Sequence, residues 1–389
     1  MIRYLAITII ATGALTACSS PGPDCMFAKP KASSSPTATT PVGTAPPGAT
    51  GTGGGVTVPT GTLSGSGGSS GGDHAAPPPP EVRELAGPWV TPESCARATI
   101  NGQKGWIVSD TGCGYDQPCY QDGSNKTMGK IVFVADDGTK TTLASGLNVP
   151  NGVDADGEGG VWNASKSGIT YIAPDGRVFT EQVKGAGLLN DIAISPFFER
   201  TAWISDSKTG EILLAYFNGN AIIFSTYATL GDAPNGLTQS VSSNGVVVAS
   251  LGDLKTPGKP GQVHAIAPAS SAYGECGDWH GGALKDLGGP VPRKLDGIVP
   301  FEHNGTWGYL VSSIYDVTAA KSDMSLWWVG PDGSTEKLFD ASPYGMKTAA
   351  DIGRDPVTGD ICIPDLGGSK GLTESGQAGA KVLIVSGLH

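Results

Sequence analysis

From residue 81 onward, short apolar runs alternate with polar turn residues, and one pattern recurs. A polar residue opens a short strand, a turn follows, and a second strand of apolar and small residues comes next. The pattern reads ESCARATINGQKGWIVSD from Glu93, NGVDADGEGGVWNAS from Asn151 and NDIAISPFFERTAWISDS from Asn190. It returns as NGLTQSVSSNGVVVASLG from Asn235, DGIVPFEHNGTWGYLVSS from Asp296 and DIGRDPVTGDICIPDL from Asp351. A hairpin usually follows, as in GKIVFVADDGTKTTLA, GITYIAPDGRVFTE, GEILLAYFNGNAIIF and SLWWVGPDGSTEKLF. Their Asp-Gly and Asn-Gly dipeptides favour tight turns between antiparallel strands. Each unit therefore predicts a four-stranded antiparallel sheet of roughly fifty residues, the size of a propeller blade.

The sixth unit stops one strand short, at AKVLIVSGLH. At the other end, EVRELAG precedes Glu93 as KTTLASG precedes Asn151 and TEKLFDA precedes Asp351. Glu81–Gly87 is thus expected to supply the outer strand of the last blade, closing the ring and covering an exposed sheet edge. The reading is all-β: a six-bladed β-propeller over residues 81–389, closed by pairing of its N- and C-terminal strands.

In a propeller, the first strand of each blade lines a central channel. The residues opening those strands, Glu93, Asn151, Asn190, Asn235, Asp296 and Asp351, then converge near one mouth. They are three carboxylates and three amides with no Lys or Arg among them. Like charges held close raise one another's pKa. A hard divalent cation resolves that conflict, and oxygen donors suit Ca2+ or Mg2+. A structural alternative is that these groups cap strand ends and bind ordered water.

Composition adds limits. Charged residues make up only 16% of the chain and the net charge is -11, which argues against a nucleic-acid partner. Roughly 310 residues with 59 Gly in the whole chain and many short β-rich runs suit one large all-β domain. The N-terminus is different. Arg3 precedes the apolar run LAITIIATGAL, and LTAC ends at Cys18. The run has the layout of a secretory signal and is too short to span a bilayer as a mature helix. LTAC resembles the lipobox of bacterial lipoproteins, which implies a signal peptide over 1–17, a lipid on Cys18 and residence in the cell envelope on the periplasmic or extracellular face. An ordinary secretion signal cleaved near Ala17 is the alternative. Residues 18–80 are Pro-, Ser-, Thr- and Gly-rich, a composition that buries no core and reads as a disordered tether. The match GGSSG at Gly67–Gly71 to a nucleophile-elbow pattern lacks any strand-turn-helix context.

Seven cysteines and export together permit disulfides. Cys113 and Cys119 bracket the loop CGYDQPC and are the expected pair. Cys95 and Cys362 pair if the domain closes on itself; Cys25 and Cys276 stay unassigned.

At this point the sequence resembles the regucalcin/gluconolactonase family of six-bladed propellers over about residues 82–389. The resemblance rests on PES at Pro92–Ser94, LND at Leu189–Asp191, PNGL at Pro234–Leu237 and LDGI at Leu295–Ile298. AADIG at Ala349–Gly353 looks like a feature of a bacterial subgroup. It implies one divalent metal on Glu93, Asn235 and Asp296, with Ca2+ first and Mg2+, Mn2+ or Zn2+ as alternatives. It implies substrate or water contact at Asn190; Asn151 and Asp351, polar groups that depart from the family pattern, are further candidates for substrate binding. The implied chemistry is hydrolysis of a lactone or related ester, the metal polarising the carbonyl and activating water and Asp296 acting as general base. Where mammalian-type members carry an arginine two residues before the asparagine, this chain has Leu188, which argues against a sugar lactone. Asp191, next in the strand, is expected by alternation to point away from the axis and to hydrogen-bond nearby backbone.

Other chemistry finds no support. The five His are scattered, and neither a zinc-type spacing nor an elbow serine occurs within the domain. Asp110, Asp206 and Asp316 are expected in turn hydrogen bonds, and Trp162, Trp203, Trp307, Trp327 and Trp328 in packing between blades. Residues 267–289 read as a blade-four insertion able to cover the mouth or present a binding surface. Two functions stay open: a metal-dependent hydrolase of a small lactone or ester, or a noncatalytic surface propeller that binds a ligand or protein and holds a structural ion. A monomer touching the membrane only through the lipid fits either.

Overall fold

The computed structural model describes residues 78–113, 128–196, 198–256, 258–269, 281–290, 292–367 and 380–389. The expected signal peptide, the expected lipidation site Cys18, nearly all of the expected tether, and Cys25, Cys119 and Cys276 lie outside them. Six antiparallel sheets follow one another along the chain. From inner to outer strand, blade 1 is Pro92–Ile100, Gln103–Asp110, Gly129–Ala135 and Lys140–Leu147. Blade 2 is Pro150–Ala155, Val161–Ser165, Gly168–Ile172 and Val178–Gln182. Blade 3 is Leu189–Ile194, Thr201–Asp206, Glu211–Phe217 and Ile222–Thr229. Blade 4 is Pro234–Gln239, Val246–Ser250, Val263–Pro268 and Gly281–Gly288. Blade 5 is Arg293–His303, Thr306–Asp316, Ser325–Val329 and Thr335–Asp340, with Lys321–Ser322 pairing beside its second strand. Blade 6 is Gly353–Arg354, Ile361–Pro364, Val382–Ser386 and, from the other end of the domain, Glu81–Glu84.

The closure is the expected one: Glu81 pairs with Ser386 and Glu84 with Leu383, antiparallel. Strand ends differ from expectation by a few residues, because each inner strand of blades 1–5 starts one to three positions before its polar residue. The blade-four insertion is smaller than expected. Gly281–Gly288 is the regular outer strand of that blade, and residues 270–280 lie outside the described set. Pro268 and Gly281 pair at the end of blade 4 opposite the strand-opening residues.

Apolar side chains gather between neighbouring blades. Trp162, Tyr171, Leu213 and Phe217 fill the seam between blades 2 and 3. Trp203, Ile212 and Val248 fill the next, and Leu310, Trp328 and Ile363 lie between blades 5 and 6. Trp162 and Trp203 are fully or almost fully buried, and truncating such a residue to Ala costs about 3–5 kcal/mol. Trp307 is the exception to the packing expectation: it is 46% exposed. Asp110 accepts the backbone N–H groups of Val90 and Thr91, and Asp206 those of Gly187, Leu188, Lys208 and Thr209. Asp316 accepts from Thr318 and Ala319, so all three make the expected turn bonds. Among the described residues no helix is long and apolar enough to cross a membrane.

The ring is also covalently closed. Cys95 in the inner strand of blade 1 is bonded to Cys362 in blade 6, with Cα atoms 6.4 Å apart. Cys113 is likewise disulfide-bonded. A link across 267 residues removes about 5 kcal/mol of unfolded-chain entropy in the simplest chain model. Thermal melts of the Cys95→Ala variant, or of wild type under reductant, are therefore expected to show a clearly lowered Tm.

Candidate functional site

The inner strands of blades 1–5 each carry a β-bulge, and each bulge falls on the strand-opening residue. In blade 3, Leu189 pairs with Asp206 and Ile192 with Ile204, so Asn190 and Asp191 together face Ser205. Asn235-Gly236, Asp296-Gly297 and Asn151-Gly152 sit in the same way, and Glu93 is the extra residue of blade 1. A bulge frees a side chain from strict alternation and re-aims it. Serines of the second strands hold the distorted backbone. Ser94 N–H donates to Ser109 Oγ at 3.0 Å, Asp191 N–H to Ser205 Oγ at 2.9 Å and Gly297 N–H to Ser312 Oγ at 2.8 Å. Ser205 and Ser312 in turn donate to the Asn235 and Ala350 carbonyls of the next blades, each at 2.7 Å. The repeated small residues in IVSD, ISDS and LVSS were the available sign of these supports.

All six predicted residues are buried. Glu93 feels the charges of Asp296 and Asp351, and Asp296 feels that of Asp351. Burial first, then the charges of Asp296 and Asp351, push the Glu93 carboxyl well above the usual carboxylate range. Burial, then Asp351, does the same to Asp296, against a hydrogen bond from the Asn235 amide that favours its ionised form. Burial raises Asp351 to about 6, although Ser94 Oγ donates to it at 2.6 Å. Asn151 spends its amide nitrogen on the Leu189 carbonyl at 2.7 Å, tying blade 2 to blade 3.

Asp191 departs from the alternation expectation. Its carboxyl does take backbone N–H groups, from Ile192 at 2.6 Å and Leu237 at 2.5 Å. It also hydrogen-bonds Asp351, which belongs to the diametrically opposite blade. Two carboxyl groups can share such a bond only if one keeps its proton. The pair therefore bridges the channel axis. A cavity of about 830 Å³ has Asp191 and Asp351 in its wall and lies on the side away from Glu93, Asn190, Asn235 and Asp296.

Cation fit can be judged from unpartnered oxygens. Glu93 Oε2, Asn190 Oδ1 and Asn235 Oδ1 are buried and have no hydrogen-bond partner among the described residues. The two amides are anchored through nitrogen, Asn190 to Ser207 Oγ at 3.0 Å and Asn235 to the Leu295 carbonyl at 3.5 Å. Their oxygens are left free, a costly state unless something binds them. Among the described residues no group of three or more His, Cys, Asp or Glu is placed to hold a metal ion. The donor set here is instead two carboxylates and two amides, all oxygen, which matches a hard cation.

No family model matches the sequence, and no curated protein matches it. Solved structures do. The chain resembles a gluconolactonase from Xanthomonas campestris at 14% identity, covering 79% of this chain and 95% of that one, with a TM-score of 0.51. It resembles a calcium-binding protein, regucalcin, from Agrobacterium tumefaciens at 12% identity, covering 80% and 94%, with a TM-score of 0.50. It also resembles an auxiliary nutrient binding protein from Bacteroides thetaiotaomicron at 7% identity, covering 77% and 69%, with a TM-score of 0.52. The fold is thus that of the gluconolactonase- and regucalcin-like propellers the sequence motifs pointed to. Since a lactonase, a calcium-binding protein and a nutrient-binding protein share the likeness, the fold does not select an activity.

The raised carboxyl pKa values fix the sign of a pH effect. The folded state holds protons on these acids more tightly than the unfolded chain does, so without a cation stability falls as pH rises from the usual carboxylate range through about 6. A cation competes with those protons. The Tm increase produced by Ca2+ is expected to be small at about pH 5 and larger at about pH 7.5. Differential scanning calorimetry at both pH values measures this, and an increment that does not change with pH contradicts it.

Proposed function

We propose that this chain is an exported, lipid-anchored propeller that hydrolyses a small lactone or ester with a divalent cation at the channel mouth. The observation that carries this reading is the set of three buried, unpartnered oxygens beside a cluster of mutually repelling acids. Glu93, Asn235 and Asp296 would hold the cation, Ca2+ first. A cation there supplies polarisation of a carbonyl oxygen and a lowered pKa for water. Asn190, held at its nitrogen by Ser207, offers its oxygen to a substrate hydroxyl or to water. Asp296 would take the proton from the attacking water. The Asn235 amide, hydrogen-bonded to it, favours its ionised, proton-accepting form. The LTAC sequence at Leu15–Cys18 supports the anchor.

A second reading, a noncatalytic ligand-binding propeller with a structural ion, draws on the position of the 830 Å³ cavity at the other end of the channel. Metal analysis combined with a lactone and aryl-ester panel separates the two. Turnover that needs metal is expected to fall about 100- to 10,000-fold in Asp296→Asn, and Glu93→Gln is expected to lose the ion and the activity together. Bound ion in wild type without turnover of any panel member selects the binding module. Separately, Cys18→Ala is expected to move the protein from the membrane to the soluble fraction on fractionation.

A further inference from the structure

The cavity on the far side of the Asp191–Asp351 bridge has its own chemistry. Its volume of about 830 Å³ falls within the range of small-molecule sites. Its wall is largely apolar, with Ile194, Pro196, Val241, Val299, Pro300 and Pro356 among its residues. Two arginines line it, and they differ. Arg97 is neutralised: its guanidinium takes both Asp136 oxygens at 2.6 Å and reaches Asp355 at 2.8 Å. Arg354 has no ion pair among the described residues, and its Nε is buried without a hydrogen-bond partner. Its guanidinium lies 5.7 Å from the centroid of the Trp307 ring, and Trp307, the one tryptophan of the set that escapes the core, is itself in the cavity wall. Stacking on an aromatic ring orients a guanidinium and leaves its N–H edge free for a carboxylate. Asp154, also in the wall, accepts the Ile194 and Ala155 N–H groups, at 2.9 and 2.7 Å.

We propose that this cavity is a second binding site, separate from the cation site, for a small carboxylate with an apolar body, its carboxylate held by Arg354 and its body against Trp307 and the apolar wall. The role of the site does not depend on hydrolysis at the opposite mouth.

Isothermal titration of the intact domain with benzoate, phenylacetate, hexanoate and octanoate, each beside its uncharged amide, tests the assignment. At least one acid is expected to bind saturably, its amide about tenfold or more weakly, with the same loss in Arg354→Gln. Trp307→Ala is expected to weaken binding too. Chelation of divalent cations is expected to leave it unchanged, so failure of the hydrolase reading and failure of this one are told apart. Silence of all four acids on wild type, equal binding of acid and amide, or full binding by Arg354→Gln overturns the proposal. If Arg354→Gln does not fold, Arg354→Lys keeps the charge without the planar fork, and undiminished binding there is likewise fatal.

Discussion

Six inner strands must meet backbone to backbone around one axis, and glycine makes that approach possible. A side chain on Gly152 would collide with Asp191 and Ile192 of blade 3, one on Gly236 with Asp296 and Gly297 of blade 5, and one on Gly297 with Asp351 and Ile352 of blade 6. The same close approach that leaves no room for a Cβ brings the neighbouring polar side chains together at the axis. Their dehydration follows from the packing, and so does their mutual repulsion. The acids are therefore strained in charge because the ring is tight; a retained proton relieves that strain, and so would the cation proposed above.

Much of this was legible in the chain. The six repeats, the missing outer strand and the EVRELAG segment that supplies it follow from strand periodicity and turn residues, which are local properties. The ring members Glu93, Asn190, Asn235 and Asp296 were legible for the same reason, since each occupies the same place in its repeat. What escaped was set by geometry that spacing does not encode. Alternation placed Asp191 away from the axis, but the bulge at Asn190 removes the alternation on which that inference stood. The supporting serines Ser109, Ser205 and Ser312 looked like small strand residues. Trp307 looked like its buried fellows because exposure depends on where the blade ends, which its strand pattern does not show.

The channel is better seen as two half-channels than as one pore. Ser94, Asp351, Asp191 and the Leu237 amide form a hydrogen-bonded bar drawn from blades 1, 6, 3 and 4. On one side lie the unpartnered oxygens; on the other lie Arg354, Trp307 and an apolar wall. Each half has a chemistry of its own, and a solute on one side meets acids before it meets anything on the other.

The double seam between blades 6 and 1 bears on how the molecule carries force. Any pull on the chain ahead of Glu81 falls first on a strand of four residues at the rim, Glu81–Glu84. Peeling that strand would bare the edge of Val382–Ser386 and the part of the apolar seam that Val82 covers, while the Cys95–Cys362 link, farther inward, still joins blade 6 to blade 1. The rim strand can act as a mechanical fuse while the ring keeps its shape.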